Sequence, residues 1–345
     1  MSKKTTEKIS DDLRNVFQKR NFYTTKDAGN IFLFALILPL AFGLVFCFIC
    51  MSIADGAGIT APEGSTILEE LFANYLWFTI PYALLTQIVF LCVYLCYNKA
   101  SRIQQKSCNI SFKKANVWTS FLSALVGIIS VLGLVLLIEG CFGKLFEVLG
   151  FEQSTLNLPI DTVGWYFANL FILGVAPAIC EELIFRGVIF QGLKEKFSST
   201  TSIFLSALLF ALMHQNIQQF IYPFLLGCVL AFTFERTNNL LYPILIHFFN
   251  NFATLTLSFL SEINVINLNF EITWWVVLIA IALAGITFLI LWLIDRFYLR
   301  KQSKIEVEKQ GELNQSPPMS VGKFPITILI GIVVAVVFIV MNAAM

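Results

Sequence analysis

The sequence is poor in charge and almost devoid of histidine. Lys, Arg, Asp and Glu together make up 13% of its 345 residues, and His214 and His247 are its two imidazoles. So little charge, beside 57% hydrophobic residues and a mean hydropathy of +0.78, excludes an ordinary soluble globular domain. The net charge of +1 says nothing in favour of a nucleic-acid partner. No internal repeat is evident, which weakens a reading as a carrier built from inverted halves. Eight cysteines are present, most of them inside apolar runs, where the residue packs as a small hydrophobe. Cys47/Cys50 and Cys92/Cys96 share helix faces, but no second cluster at ligand spacing completes a metal cage. Cys180 adjoins Glu181 and is read as packing, because a thiol nucleophile needs an activating base in reach.

What the chain has in abundance is long apolar stretches. Runs near 30–53, 72–97, 117–138, 163–193, 217–234, 273–294 and 324–343 are each about long enough to cross a hydrocarbon core of ~30 Å. Two more candidates are 200–214, which is short, and 241–261, which His and Asn interrupt. Such runs mean helices, since the backbone must satisfy its own hydrogen bonds in lipid. The expected fold is an all-α polytopic membrane protein, a bundle of about eight or nine transmembrane helices around a polar intramembrane cavity. Basic residues gather in 1–28, in 98–116 and after Asp295, whereas 54–71, 139–162 and 262–272 are acidic apart from Lys144. By the positive-inside rule the N-terminus is cytoplasmic, and nine crossings would leave the C-terminus outside.

Chemistry divides the chain into four parts. Residues 1–28 form a cytoplasmic arm, too polar for an ordinary signal peptide, so the first span is expected to be an uncleaved anchor. Residues 29–162 hold three spans without an obvious catalytic constellation. The unusual polar residues fall in 163–260, and 261–345 adds C-terminal spans around a charged linker, 295–323. Segment 141–151 suits the outer interface, with aromatic residues beside one Lys and one Glu.

Ionisable side chains at membrane depth are costly and mark functional sites. Here they are Glu181, Glu182, Arg186, His214 and His247, joined by Asn251. On a helix Glu182 and Arg186 share a face and pair, while Glu181 points elsewhere and is free to titrate as a general base. Phe210 and His214 are four apart, so the ring buttresses the imidazole. His247 and Asn251 also share a face, where an N–H from each would suit an oxyanion hole, and Asn250 turns roughly 100° away. A structural ion pair and interhelical polar bonds are the blander readings of the same residues.

Helical rise offers an independent check. Counting from Lys194, Ser199 and Asn239 at ~1.5 Å per residue gives depths of ~20 Å for Glu181, ~22 Å for His214, ~12 Å for His247 and ~18 Å for Asn251. All four therefore fall within ~10 Å along the membrane normal. Pro177 and Pro243 each precede a reactive residue by four, and kinks there would admit water beside it.

These motifs resemble the CPBP (Abi) intramembrane proteases, a family that includes the type II CAAX prenyl endopeptidases. The family pattern is EExxxR, FxxxH and HxxxN or HxxxD on successive helices, matched by Glu181-Glu182…Arg186, Phe210…His214 and His247…Asn251. Phe185, Gly187 and the approach FERTNNLLYPILIHFFNN fit as well. Ala231 and Asn238-Asn239 depart modestly from the small or Gly-Ser residues expected there. The likeness covers roughly 163–257.

The resemblance implies an intramembrane endopeptidase acting on a peptide or membrane-associated protein. Glu181 would activate water with help from His214, His247 and Asn251 would hold the oxyanion, and Glu182, Arg186 and Phe210 would order the site. No acyl-enzyme is expected, because neither Ser nor Cys occupies a motif position, and no cofactor is expected. The runner-up is a zinc metalloprotease with Glu181, His214 and His247 as ligands, which the composition permits although HExxH is absent. A non-catalytic immunity or scaffold protein is the third reading. Frequent Phe, Ile, Asn and Lys favour a bacterial plasma membrane, so leader peptides, pheromone precursors or bacteriocins suit better than prenylated tails. That choice is fold-level analogy.

Overall fold

The computed structural model describes residues 22–103, 110, 117–138, 158–217, 220–266, 274–293 and 326–344. Among these residues the chain is helical and has no β-sheet. The helices are α1 (Thr25–Gly56), α2 (Ile67–Asn74), α3 (Leu76–Ala100) and α4 (Val117–Ile138), then α5 (Val163–Leu193) and α6 (Ser199–Met213). They continue with α7 (Ile221–Thr237), α8 (Leu241–Glu262), α9 (Trp274–Leu293) and α10 (Ile326–Ala344). Four of them, α1, α3, α5 and α8, are long and apolar enough to cross a membrane. Apolar side chains such as Leu44, Phe48 and Ile88 lie exposed on α1 and α3, as they would facing lipid. Most of the N-terminal arm, the segment 141–151 and the linker 295–323 lie outside the described residues.

Helix starts follow local chemistry. Thr24 caps α1 in a reciprocal box with Asp27, and Thr66 caps α2 in the same way with Glu69. Thr162 and Ser198 cap α5 and α6. Asn238 ends α7 in the left-handed region, at φ 47°, which asparagine tolerates better than most residues.

A polar layer ties several helices together at one end. Thr25 donates from its amide to Glu195 at 2.6 Å and from its hydroxyl to the Gly192 carbonyl at 3.1 Å. The Tyr97 hydroxyl donates to Asp27 at 2.7 Å, and Lys194 pairs with Glu235 at 2.5 Å. The start of α1, the end of α3, the end of α5 and the end of α7 thus lie on the same side.

Of the four apolar clusters among the described residues, two hold close neighbours of the polar residues on α5, α6 and α8. One holds Ile31, Phe90, Ile184, Phe185, Phe190, Phe210 and Ala231, and the other holds Val126, Leu226, Leu230 and Ile246. The helix that carries Glu181 is not uniform. It widens into π-type turns at Leu170–Val175 and Phe185–Phe190, on either side of the two glutamates. Such turns are uncommon inside helices and are frequent at functional sites.

Close packing sets the position of α8. A Cβ on Gly127 of α4 would lie 2.5 Å from the Ile246 carbonyl oxygen and 3.1 Å from the Asn250 amide nitrogen. Both are backbone atoms, so no side chain can move aside. Gly127→Val is expected to force α4 and α8 apart and destabilise the bundle by about 1–3 kcal/mol. Thermal unfolding of the detergent-solubilised variant measures this, and an unchanged midpoint would contradict it.

Candidate active site

The polar residues of α5, α6 and α8 meet between the two clusters. Glu182 and Arg186 are fully buried and pair at 2.7 Å through Oε1 and Nη1, one helical turn apart as expected. Arg186 also donates from Nη2 to the Gly227 carbonyl of α7 at 3.1 Å. Its guanidinium lies 4.7 Å from the centroid of Phe210, a cation–π distance.

Glu182 has a second partner that helical phasing alone did not assign. His247 Nδ1 lies 3.0 Å from the same Oε1. That oxygen belongs to a carboxylate paired with Arg186 and can only accept, so the imidazole is the donor and Nδ1 carries hydrogen. His247 Nε2 then faces Glu181, 3.9 Å from Oε2. That is too long for a direct hydrogen bond, and short enough for one oxygen atom to contact both groups. Glu181 keeps 14% of its side-chain surface exposed and Glu182 none, so Glu181 is the carboxylate that can be reached.

His214 caps the C-terminal end of α6, and its Nδ1 lies 3.0 Å from the Phe210 carbonyl. A carbonyl only accepts, so this nitrogen too bears hydrogen, and the neutral ring has its lone pair on Nε2. The Phe210 ring meets His214 edge-on at 5.0 Å, as expected, and also meets His247 at 5.8 Å. One aromatic ring therefore seats both histidines.

Asn251 stands one turn beyond His247, but its amide is already engaged. It donates to the Leu173 carbonyl at 3.0 Å and accepts from Asn250 Nδ2 at 3.2 Å. Asn250 in turn accepts from the Tyr222 hydroxyl. This chain of bonds fixes which way the Asn251 amide faces and leaves its second N–H for another acceptor. Asn250 does turn away from the His247 face, and in doing so it orients Asn251.

The prolines act differently from the expected kinks. Pro243 is the third residue of α8, in the first turn, where a missing N–H breaks no helical bond, so it opens nothing beside His247. Pro177 has no N–H to offer Leu173, four residues earlier, and that carbonyl is the one that accepts from Asn251. Its visible effect is to help free an anchor for Asn251.

Two contributors escaped the sequence reading. Gln87 of α3 donates from Nε2 to Glu181 Oε1 at 3.3 Å, although residues 29–162 showed no constellation. Tyr222 of α7 is the other. The available signal was the same for both, a polar side chain within an apolar run.

The zinc alternative requires Glu181, His214 and His247 to surround one ion. Among the described residues no group of three or more His, Cys, Asp or Glu is gathered closely enough to hold a metal. As placed, these residues do not fit a zinc site, and no step below passes through one.

Residues 163–253 match the family described as "Type II CAAX prenyl endopeptidase Rce1-like". The motif resemblance covers nearly the same segment, 163–257, and is borne out. The chain is also 25% identical over 142 residues to a Bacillus subtilis (strain 168) protein named "Putative membrane peptidase YdiL". That match takes in 40% of this chain and 57% of the relative's length. No solved structure gives a significant match.

Proposed function

We propose, from the CPBP family character of residues 163–253 in this integral membrane protein, that the chain is an intramembrane endopeptidase. Glu181 draws a proton from water, whose oxygen attacks the carbonyl carbon of a peptide bond. His214 assists through Nε2, the nitrogen left with a lone pair by its bond to Phe210. Negative charge developing on the carbonyl oxygen is met by His247 and by the free N–H of Asn251. The C–N bond then breaks, the leaving nitrogen takes the proton, and an acid and an amine depart.

His247 Nδ1 already donates to Glu182, so donation from Nε2 requires the doubly protonated ring. With Glu181 ionised, as a base must be, that imidazolium brings Glu181, Glu182, Arg186 and His247 to zero net charge. Neutrality matters in a site where an unbalanced buried charge is expensive. The observation that carries the reading is the 3.9 Å gap between Glu181 and His247, each held from behind by Gln87 and Glu182.

The rest of the reading is a bundle of eight or nine crossings with a cytoplasmic N-terminus in a bacterial plasma membrane. The substrate is a peptide or membrane-associated protein. Incubation of the detergent-purified chain with a random-sequence peptide library, followed by mass spectrometry, is expected to show new termini. These should persist in a chelator and vanish in His247→Gln. Loss of cleavage on chelation with recovery on adding zinc would overturn the metal-free chemistry. A library left intact by wild type, under conditions where the chain stays folded, would overturn the peptidase reading.

A further inference from the structure

The water-activating carboxylate of the proposed reaction has two oxygens with different surroundings. Oε2 faces His247, and Oε1 accepts from Gln87 Nε2. Gln87 lies on α3, far outside the matched segment 163–253 and 94 residues from Glu181 in sequence. It is set among apolar residues of α3, with Val89, Phe90 and Val93 buried on the following turns. Its own carbonyl oxygen is buried and makes no hydrogen bond among the described residues.

An amide in such surroundings is a poor choice for packing. A leucine or methionine would fill similar volume without a buried acceptor to satisfy, which costs about 1–3 kcal/mol when left unmade. The side chain contributes one thing that an apolar residue cannot, an N–H aimed at the accessible glutamate. A carboxylate held at one oxygen has lost rotation about its terminal bond, so its other oxygen is presented in one direction. Here that direction is toward His247 Nε2.

We infer that Gln87 is a positioning residue for Glu181: it holds Oε1 so that Oε2 stands ready for the attacking water. The catalytic unit then extends beyond the family core to α3, and the early helices supply part of the chemistry as well as the scaffold. The inference rests on the assignment of Glu181 as the base.

The test uses the full chain in detergent and the peptide that wild type cleaves fastest from the random library. Gln87→Met keeps the volume and removes the donor. Gln87→Glu keeps an acceptor oxygen, removes the donor and adds a like charge. Gln87→Lys keeps an N–H donor. Loss of an orienting partner is expected to lower kcat about 10–100-fold in Gln87→Met. KM should stay within about twofold, since an interaction felt only in the transition state leaves substrate binding alone. Gln87→Glu should lose more and Gln87→Lys less, and the melting temperature of Gln87→Met, which adds no charge, should stay near wild type.

Wild-type kcat in Gln87→Met would overturn the inference. So would equal losses of kcat and melting temperature in all three variants, which would mark a purely structural residue. Glu181→Gln assayed beside them separates the two levels. If it cleaves normally, the assignment of the base has failed. If it is inactive while Gln87→Met is normal, only the role of Gln87 has failed.

Discussion

Glu181→Gln is expected to lower kcat by about 10⁴-fold, the upper range for loss of a positioned general base and about 5.4 kcal/mol in barrier height. The substitution is nearly isosteric, and its amide oxygen can still accept from Gln87, so the α3–α5 contact survives. What disappears is the charge that takes the proton. His214→Gln should cost less, about 10²-fold, because in the proposed reaction that residue assists a base that is still present. The ranking separates the candidate mechanisms. Were His214 the base and Glu181 an orienting group, His214→Gln would be the more damaging change. Were the chain a scaffold that binds another membrane protein, neither change would alter its function, and no cleavage would be there to lose. Steady-state kinetics on one library peptide, beside thermal unfolding of each variant, decides among these outcomes. Equal activity of wild type and Glu181→Gln would end the glutamate mechanism.

Much of this site was legible because it depends on one helical turn. Glu182 with Arg186 and Phe210 with His214 are four apart, and a period of 3.6 residues brings such pairs together with no knowledge of the fold. His247 and Asn251 have the same spacing, yet their bonding groups turn to separate partners, Glu182 and Leu173. Those partners lie on another helix, which phasing within α8 could not reach. Depth counting placed Glu181 and His247 ~8 Å apart along the normal, and their long side chains close that distance to 3.9 Å. Gln87 and Tyr222 remained hidden for a plainer reason. A single amide or hydroxyl in an apolar helix has no periodic signature, and its meaning is set by what the fold brings opposite. The π-type turns around the two glutamates left no local mark in sequence either. Pro243 misled although the run was bounded correctly at 241: with the helix starting at Leu241 the proline falls in the first turn, where a missing N–H breaks no helical bond.

Arg186→Met is expected to destabilise the folded chain by about 3–5 kcal/mol, since it leaves the Glu182 carboxylate buried without its main counter-charge. Glu182 has no exposed surface, so water cannot take over from the guanidinium. The loss reaches past one ion pair. Arg186 also holds the Gly227 carbonyl of α7 and lies against Phe210, the ring that seats both histidines. Replacing both partners, Glu182→Leu with Arg186→Met, removes the uncompensated charge and should restore most of the stability, because apolar residues of similar volume often replace a buried pair at little cost. Activity should not return with it. His247 Nδ1 would have lost the carboxylate that fixes its ring, and Nε2 would no longer be directed at Glu181. A folded but inactive double variant therefore identifies the Glu182–Arg186 pair as a device for orienting His247. Thermal unfolding and peptide cleavage, measured on the same three preparations, test this. Recovery of cleavage together with stability in the double variant would show that His247 needs no partner, and would remove Glu182 from the machinery.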